Sequence, residues 1–153
     1  MRLAYFDSAV ILKIYVPEVD SVAAVKLVQQ ERYPLILTSL HELEIKNAVR
    51  LKHGRGELSS DQLARVLGRF ESDIEQLRLL RRPVDWPEVF AQAEYLSAAQ
   101  ASECLTRSLD ILHVACALAV GADRFYSFDR RQRTLAARTG LRVRPARLPA
   151  LPY

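Results

Sequence analysis

The chain has 153 residues, half of them hydrophobic and 26% charged, with a formal net charge of +4 and a pI near 9.3. That length fits one compact domain with its own core, and only 5 glycines and 7 prolines exclude a low-complexity or disordered chain. The modest basic excess suits an acidic partner such as nucleic acid without requiring one.

In chain order, residues 2–6 predict a short strand, and a helix begins near Ser8. The N-terminal stretch is a poor signal peptide, because Asp7 breaks its apolar run and no small-residue cleavage site follows. Residues 21–31 predict a helix, with Val22, Val25 and Val28 spaced by threes. Residues 34–38 predict a second strand introduced by proline. Ser39 is expected to open a helix to about His53, ended by Gly54 and Gly56. Ser59 is placed to cap the next helix, to about Ser72, with Gln62 at the capping-box position. Residues 77–80 predict a strand. Asp85 to about Ala99 predicts a helix that tolerates Pro87 in its first turn. Residues 108–120 predict an almost wholly apolar helix closed by Gly121. A strand over 124–128, a helix over 130–139 closed by Gly140, and an edge strand over 141–144 complete the pattern. The residues after Arg147, with Pro149 and Pro152, predict an extended tail. Alternating strands and helices imply an α/β sandwich around a mostly parallel sheet, as a single domain over residues 1–147. The longest apolar run, residues 114–122, is too short to span a bilayer. Cys104 and Cys116 form no metal or redox pattern and fit small core positions in a reduced cytoplasm.

Four carboxylates interrupt or end apolar runs: Asp7, Glu44, Asp110 and Asp129. Buried acids are rare unless paired or bound to a cation, and none of these runs carries a matching set of Lys or Arg. Asp7 and Asp129 directly follow predicted strands, where open parallel sheets place their ligand crevice; either alone also suits a helix N-cap. At about 100° per residue, Glu44 shares a helix side with Leu40, Leu43, Ala48 and Leu51, the expected core face. Glu42 stands opposite, three residues after Ser39, where a capping box would use it. The competing reading for Glu44 is an ion pair with Lys46 or Arg50. Asp110 lies in the first turn of the apolar helix, where the helix dipole alone would favour an acid. His113, one turn on, reads more readily as a satisfied core histidine than as a group orienting an acid or phosphate. Oxygen-only ligation selects a hard cation, Mg²⁺ or Mn²⁺, and such ions support in-line phosphate hydrolysis.

These residues resemble a known family. YFDSAVILKIY, the Glu44–Ala48 spacing and LDILHVACALAVGADRFYSFDRRQRTLAARTGL together resemble PIN-domain ribonucleases, and more closely the VapC-type toxins of bacterial toxin–antitoxin pairs. The resemblance covers essentially the whole chain and is most specific in its last third. It implies a three-layer α/β/α sandwich with about five parallel strands. It also implies that Asp7, Glu44, Asp110 and Asp129 form a catalytic, metal-binding quartet for Mg²⁺ or Mn²⁺. Ser127 takes the position of a hydroxyl residue that supports the last Asp, and Ser8 is placed to hold the metal-site turn. The implied activity is endoribonucleolytic, leaving a 5′-phosphate and a 3′-hydroxyl. The implied partners are RNA, a second copy of the chain and a cognate antitoxin protein.

Arg130, Arg131 and Arg133 follow Asp129 and form a candidate RNA surface, against the alternative of a solvated helix face. Leu63, Val66, Leu67, Phe70 and Ile74 stand at helical spacing, as ordinary core or as part of an antitoxin groove. Other readings of the chain are a housekeeping PIN nuclease without an antitoxin, a binding module that lost its chemistry, and a different Mg²⁺ phosphohydrolase. An aspartyl nucleophile of that last kind usually needs Asp-x-Asp, whereas Asp7 is followed by Ser8 and Ala9.

Overall fold

The structure, a computed structural model, describes residues 3–32 and 34–150. Five strands alternate with seven helices among them: β1 (Ala4–Phe6), α1 (Ser8–Tyr15), α2 (Ser21–Gln30), β2 (Leu35–Leu37), α3 (Ser39–Gly54), α4 (Ser60–Glu75), β3 (Leu79–Arg81), α5 (Trp86–Cys104), α6 (Ser108–Ala119), β4 (Arg124–Tyr126), α7 (Arg130–Arg138) and β5 (Arg142–Arg144). Every predicted element is present, and boundaries move by a few residues. The predicted start of the first strand at Arg2 and the tail beyond Ala150 lie outside the described residues. All strand pairings are parallel, as the alternation requires. Hydrogen bonding groups the strands as β1-β4-β5 and β2-β3, rather than as a single five-stranded sheet. No helix among the described residues is long and apolar enough to cross a membrane.

The chain divides into two compact units, one combining the N-terminal strand up to Asp7 with Arg82–Leu148, the other Ser8–Arg81. In the first unit, aromatic side chains set the sheet register. Tyr5 pairs with Phe125 and Phe6 with Tyr126 across β1 and β4. Both ring pairs stack, at 5.7 Å and 4.0 Å between centroids. Each such pair contributes about 0.5–1.5 kcal/mol beyond area burial, and a one-residue slip would break both. Cys104 and Cys116 are buried free thiols. Residues Ile111 to Ala117 of α6 are all buried, as the apolar sequence requires.

In the second unit, β2 pairs with β3, with Leu35 opposite Leu79. Tyr15 packs edge-on against Phe70 and donates to Asp73 Oδ2 at 2.6 Å. Burial first, then the Asp73 carboxylate, hold the Tyr15 phenol well above its ordinary range. Ser59 and Gln62 close the expected reciprocal capping box at the start of α4.

The start of α3 differs from expectation. Its N-cap is Thr38, and His41 is the box partner, its Nδ1 accepting from Thr38 N at 2.9 Å. Glu42 has no capping task. It accepts a bidentate pair from Arg81 and a bond from Lys46. Arg81, the larger influence, and Lys46 hold its carboxyl below the ordinary range.

Candidate active site

In the first unit, β1 and β4 run in parallel register, so Asp7 emerges beside Ser127. Asp7 N donates to Tyr126 O at 2.9 Å, which continues the ladder one step past β1. Asp7 and Ser8, at the β1–α1 junction, are 4% and 6% exposed. A carboxylate buried to that degree is not a casual helix cap.

The turn after β4 is fixed by its own side chains. Ser127 is fully buried, and its Oγ accepts from Asp129 N at 3.0 Å. Asp129 is the N-cap of α7, its Oδ1 accepting from Gln132 N at 2.8 Å. One carboxylate oxygen is thereby committed to the helix, and the carboxylate is oriented.

Asp110 lies in the first turn of α6. Burial pushes its carboxyl above the ordinary range; Arg107 pulls it down, and the charge of Asp129 adds a smaller upward push. Arg107 Nε stands 3.2 Å from Asp110 Oδ2. The expectation that these acids lack a cationic neighbour therefore fails at Asp110. The Arg107 side chain is 80% exposed, however, so its attraction is screened and does not cancel the desolvation.

Gln132 joins the two acids and was not singled out in the sequence. It is 1% exposed, and its Nε2 donates to the Asp110 main-chain carbonyl at 3.2 Å. It stands three residues after the Asp129 cap, where Gln62 follows Ser59. Gln62 returns to its own cap, whereas Gln132 reaches across to α6. In a sequence the two look alike. Gln132 Oε1 is buried without a hydrogen-bond partner among the described residues.

His113 is 2% exposed, with Nδ1 2.8 Å from Tyr5 OH, the satisfied core histidine that was the favoured reading. Of the three arginines, Arg130 and Arg131 are exposed. Arg133 faces inward: Nη1 donates to Ser127 O and Arg144 O at 2.8 and 3.1 Å, and Nη2 to Pro145 O at 2.7 Å. This bonding makes Arg133 a clamp on the ends of β4 and β5.

Glu44 belongs to the second unit. It is half-buried on α3, next to the buried Ile45. The buried line of α3 is His41, Ile45 and Val49, while Leu43 and Leu51 are 67% and 52% exposed. Glu44 thus borders the core face and does not sit at its centre. Lys46, one suggested partner for Glu44, is paired with Glu42 and Glu71.

Among the described residues, no three His, Cys, Asp or Glu side chains converge into a preformed metal-binding group. The donor chemistry still fits a hard cation. Asp110 is disfavoured in its charged form by burial and by Asp129, and a divalent ion relieves both effects.

Parallel strands alternating with helices, with Asp110 in the first turn of α6 within reach of the charge of Asp129 at the start of α7, define a parallel α/β protein. The chain belongs to the PIN domain family, with residues 4–138 matching it. Among solved structures it is similar to the crystal structure of FitAcB from Neisseria gonorrhoeae. Identity is 18%, coverage is 92% of this chain and 96% of that one, and the TM-score is 0.62. That likeness shows the fold. None of the curated proteins matches the chain in sequence.

Proposed function

We propose that this chain is a Mg²⁺- or Mn²⁺-dependent endoribonuclease and the toxin of a toxin–antitoxin pair. The observation that carries the reading is the linkage of Asp110 and Asp129 through Gln132, in the unit where Asp7 ends β1 beside Ser127. Family membership supports nuclease chemistry, and the resemblance of the last third to VapC-type toxins supports the toxin role.

In this reading Asp7, Asp110 and Asp129, all in the first unit, hold the cation. When bound, the ion supplies positive charge for the scissile phosphate and lowers the pKa of an attacking water. Ser127 and Gln132 keep the Asp129 carboxylate turned to one side, and Ser8 holds the turn after Asp7. The exposed Arg130 and Arg131 meet backbone phosphates of the RNA.

The antitoxin reading draws support from the second unit. A cleft of about 490 Å³ there is lined by Ile14, Tyr15, Val22, Val25, Lys26 and Arg69. Phe70 and Ile74 are ordinary core, while Leu63, Val66 and Leu67 are half-buried. An apolar cleft with a basic rim suits an amphipathic acidic segment. Exposed Phe90, Leu105 and Leu109 in the first unit support a homodimer.

Brief expression in bacteria, followed by sequencing of new RNA 5′ ends, tests the reading. Wild type is expected to arrest growth and produce discrete new ends that Asp7→Asn does not. Discrete ends without growth arrest would favour the housekeeping nuclease. Identical ends from both proteins would remove Asp7 from the site, and none from folded wild type would favour a binding module.

A further inference from the structure

Residues 130–147 contain seven arginines and not one Asp or Glu. Five of the seven are engaged within the protein, Arg131 through Leu105 O and Arg144 through Val143 O among them. Arg133 clamps backbone carbonyls, Arg138 pairs with Glu103, and Arg142 pairs with Asp123. Arg130 and Arg147 are exposed and make no ion pair among the described residues. Both line a cleft of about 640 Å³ along the outer face of α7, floored by Thr134, Ala137, Val143 and Leu148. Arg130, Thr134 and Ala137 follow one another along a single helix face at i, i+4, i+7. The cleft opens at Arg130, the residue after Asp129, and runs for about 10 Å along α7, at 1.5 Å per residue.

We propose that this α7–β5 cleft is an extended binding track for single-stranded RNA, flanking the bond cut at the acidic site. The inference rests on the ribonuclease reading and adds to it a surface. Planar guanidiniums on the rim match phosphate oxygens, and a low apolar floor accepts unstacked bases, which a duplex does not offer. Among the described residues no carboxylate lines the cleft, so its walls carry positive charge alone. Arg147, in the chain after β5, lines the cleft together with Arg130 and in this proposal meets a phosphate of the bound strand other than the scissile one.

The test uses the full chain. Binding of a fluorescein-labelled 12-nucleotide single-stranded RNA is measured by anisotropy in an Asp110→Asn background, with and without Arg147→Gln. Arg32→Gln, in the other unit, controls for net charge. Arg147→Gln is expected to weaken binding about 3- to 10-fold and to reduce the log–log salt slope by about 0.7, the value for one lost single-strand phosphate contact. In the active protein it should raise KM for the 12-mer by a similar factor with kcat unchanged. Cleavage of a trinucleotide spanning the cut should be unaffected. Equal effects from Arg32→Gln, or no effect from Arg147→Gln in a protein that cleaves the 12-mer, would overturn the track and leave the ribonuclease reading standing. Displacement of the RNA by an acidic peptide, in an Arg147-dependent way at equal affinity, would overturn it in favour of a protein partner. Absence of both binding and cleavage in wild type would instead remove the ribonuclease reading itself.

Discussion

Asp110→Asn is expected to abolish RNA cleavage and, at the same time, to raise the melting temperature of the metal-free protein. The first effect follows from the proposed function, in which Asp110 is one of the charged groups that hold the cation. A thousand-fold loss of rate corresponds to about 4 kcal/mol of transition-state stabilisation, within reach of losing metal chemistry. The second effect follows from what the metal-free protein endures. Burial and the Asp129 charge disfavour the ionised Asp110, and Arg107, largely in solvent, offsets only part of this. An amide of the same shape carries neither penalty.

The pH dependence has a definite sign. The folded-state pKa of Asp110 is raised, so its contribution to stability is fully present below its unfolded pKa and is lost as pH rises through the folded value. In EDTA, the advantage of the asparagine variant should therefore be absent in acid, where Asp110 is protonated, and grow towards neutrality. Mg²⁺ should raise the wild-type melting temperature more than that of the variant. Thermal melts across pH, with and without metal, check this together with initial cleavage rates. A variant that cleaves at the wild-type rate, or that melts below wild type in EDTA at neutral pH, would contradict the account of this site.

The fold was legible because the signals that set it are local and strong. Short apolar runs ending in Asp, glycines closing helices, and the Ser59–Gln62 box each specify one element. The α3 helix shows where such signals fail. His41 counts as polar in any hydrophobic pattern, yet it is fully buried as the partner of Thr38. Removing it from the pattern shifts the inferred core face towards Leu43 and Leu51, which the structure exposes. The cap moves by one residue for the same reason, since Thr38 and Ser39 are equally good caps until the histidine chooses between them.

In the first unit, the buried Asp7 was legible as a misfit ending an apolar run, but the groups that fix the Asp129 turn were not. Gln132 and Arg133 sit in a segment that reads as a solvated basic helix, because their partners are backbone carbonyls. Those acceptors exist at every residue and leave no trace in side-chain chemistry. Arg107 was missed as a partner of Asp110 because it lies just before the helix, outside the apolar run.

Arg133→Ala is expected to be the most damaging surface-like substitution in α7, by about 3 kcal/mol. The guanidinium donates to the carbonyls of Ser127, Arg144 and Pro145. Arg144 O also accepts from Ser127 N, so it keeps one partner when the side chain is removed. Ser127 O and Pro145 O lose a charged donor, and such hydrogen bonds are each worth about 1.5–3 kcal/mol. Water will recover part of that, because the site is only partly buried. For a chain of this size, 3 kcal/mol lowers the melting temperature by roughly 6–12 °C. Arg133→Lys should recover less than half, since an ammonium group cannot span three carbonyls with a planar fork. The consequence reaches the site through Ser127, whose carbonyl is clamped and whose hydroxyl holds Asp129 N. A loosened Asp129 should weaken Mn²⁺ binding, measured by calorimetry below the new melting temperature, whereas Arg130→Ala should leave both melting temperature and metal affinity unchanged. If Arg133→Ala melts with wild type and weakens only RNA binding, the side chain points outward in solution and belongs with Arg130 on the RNA surface.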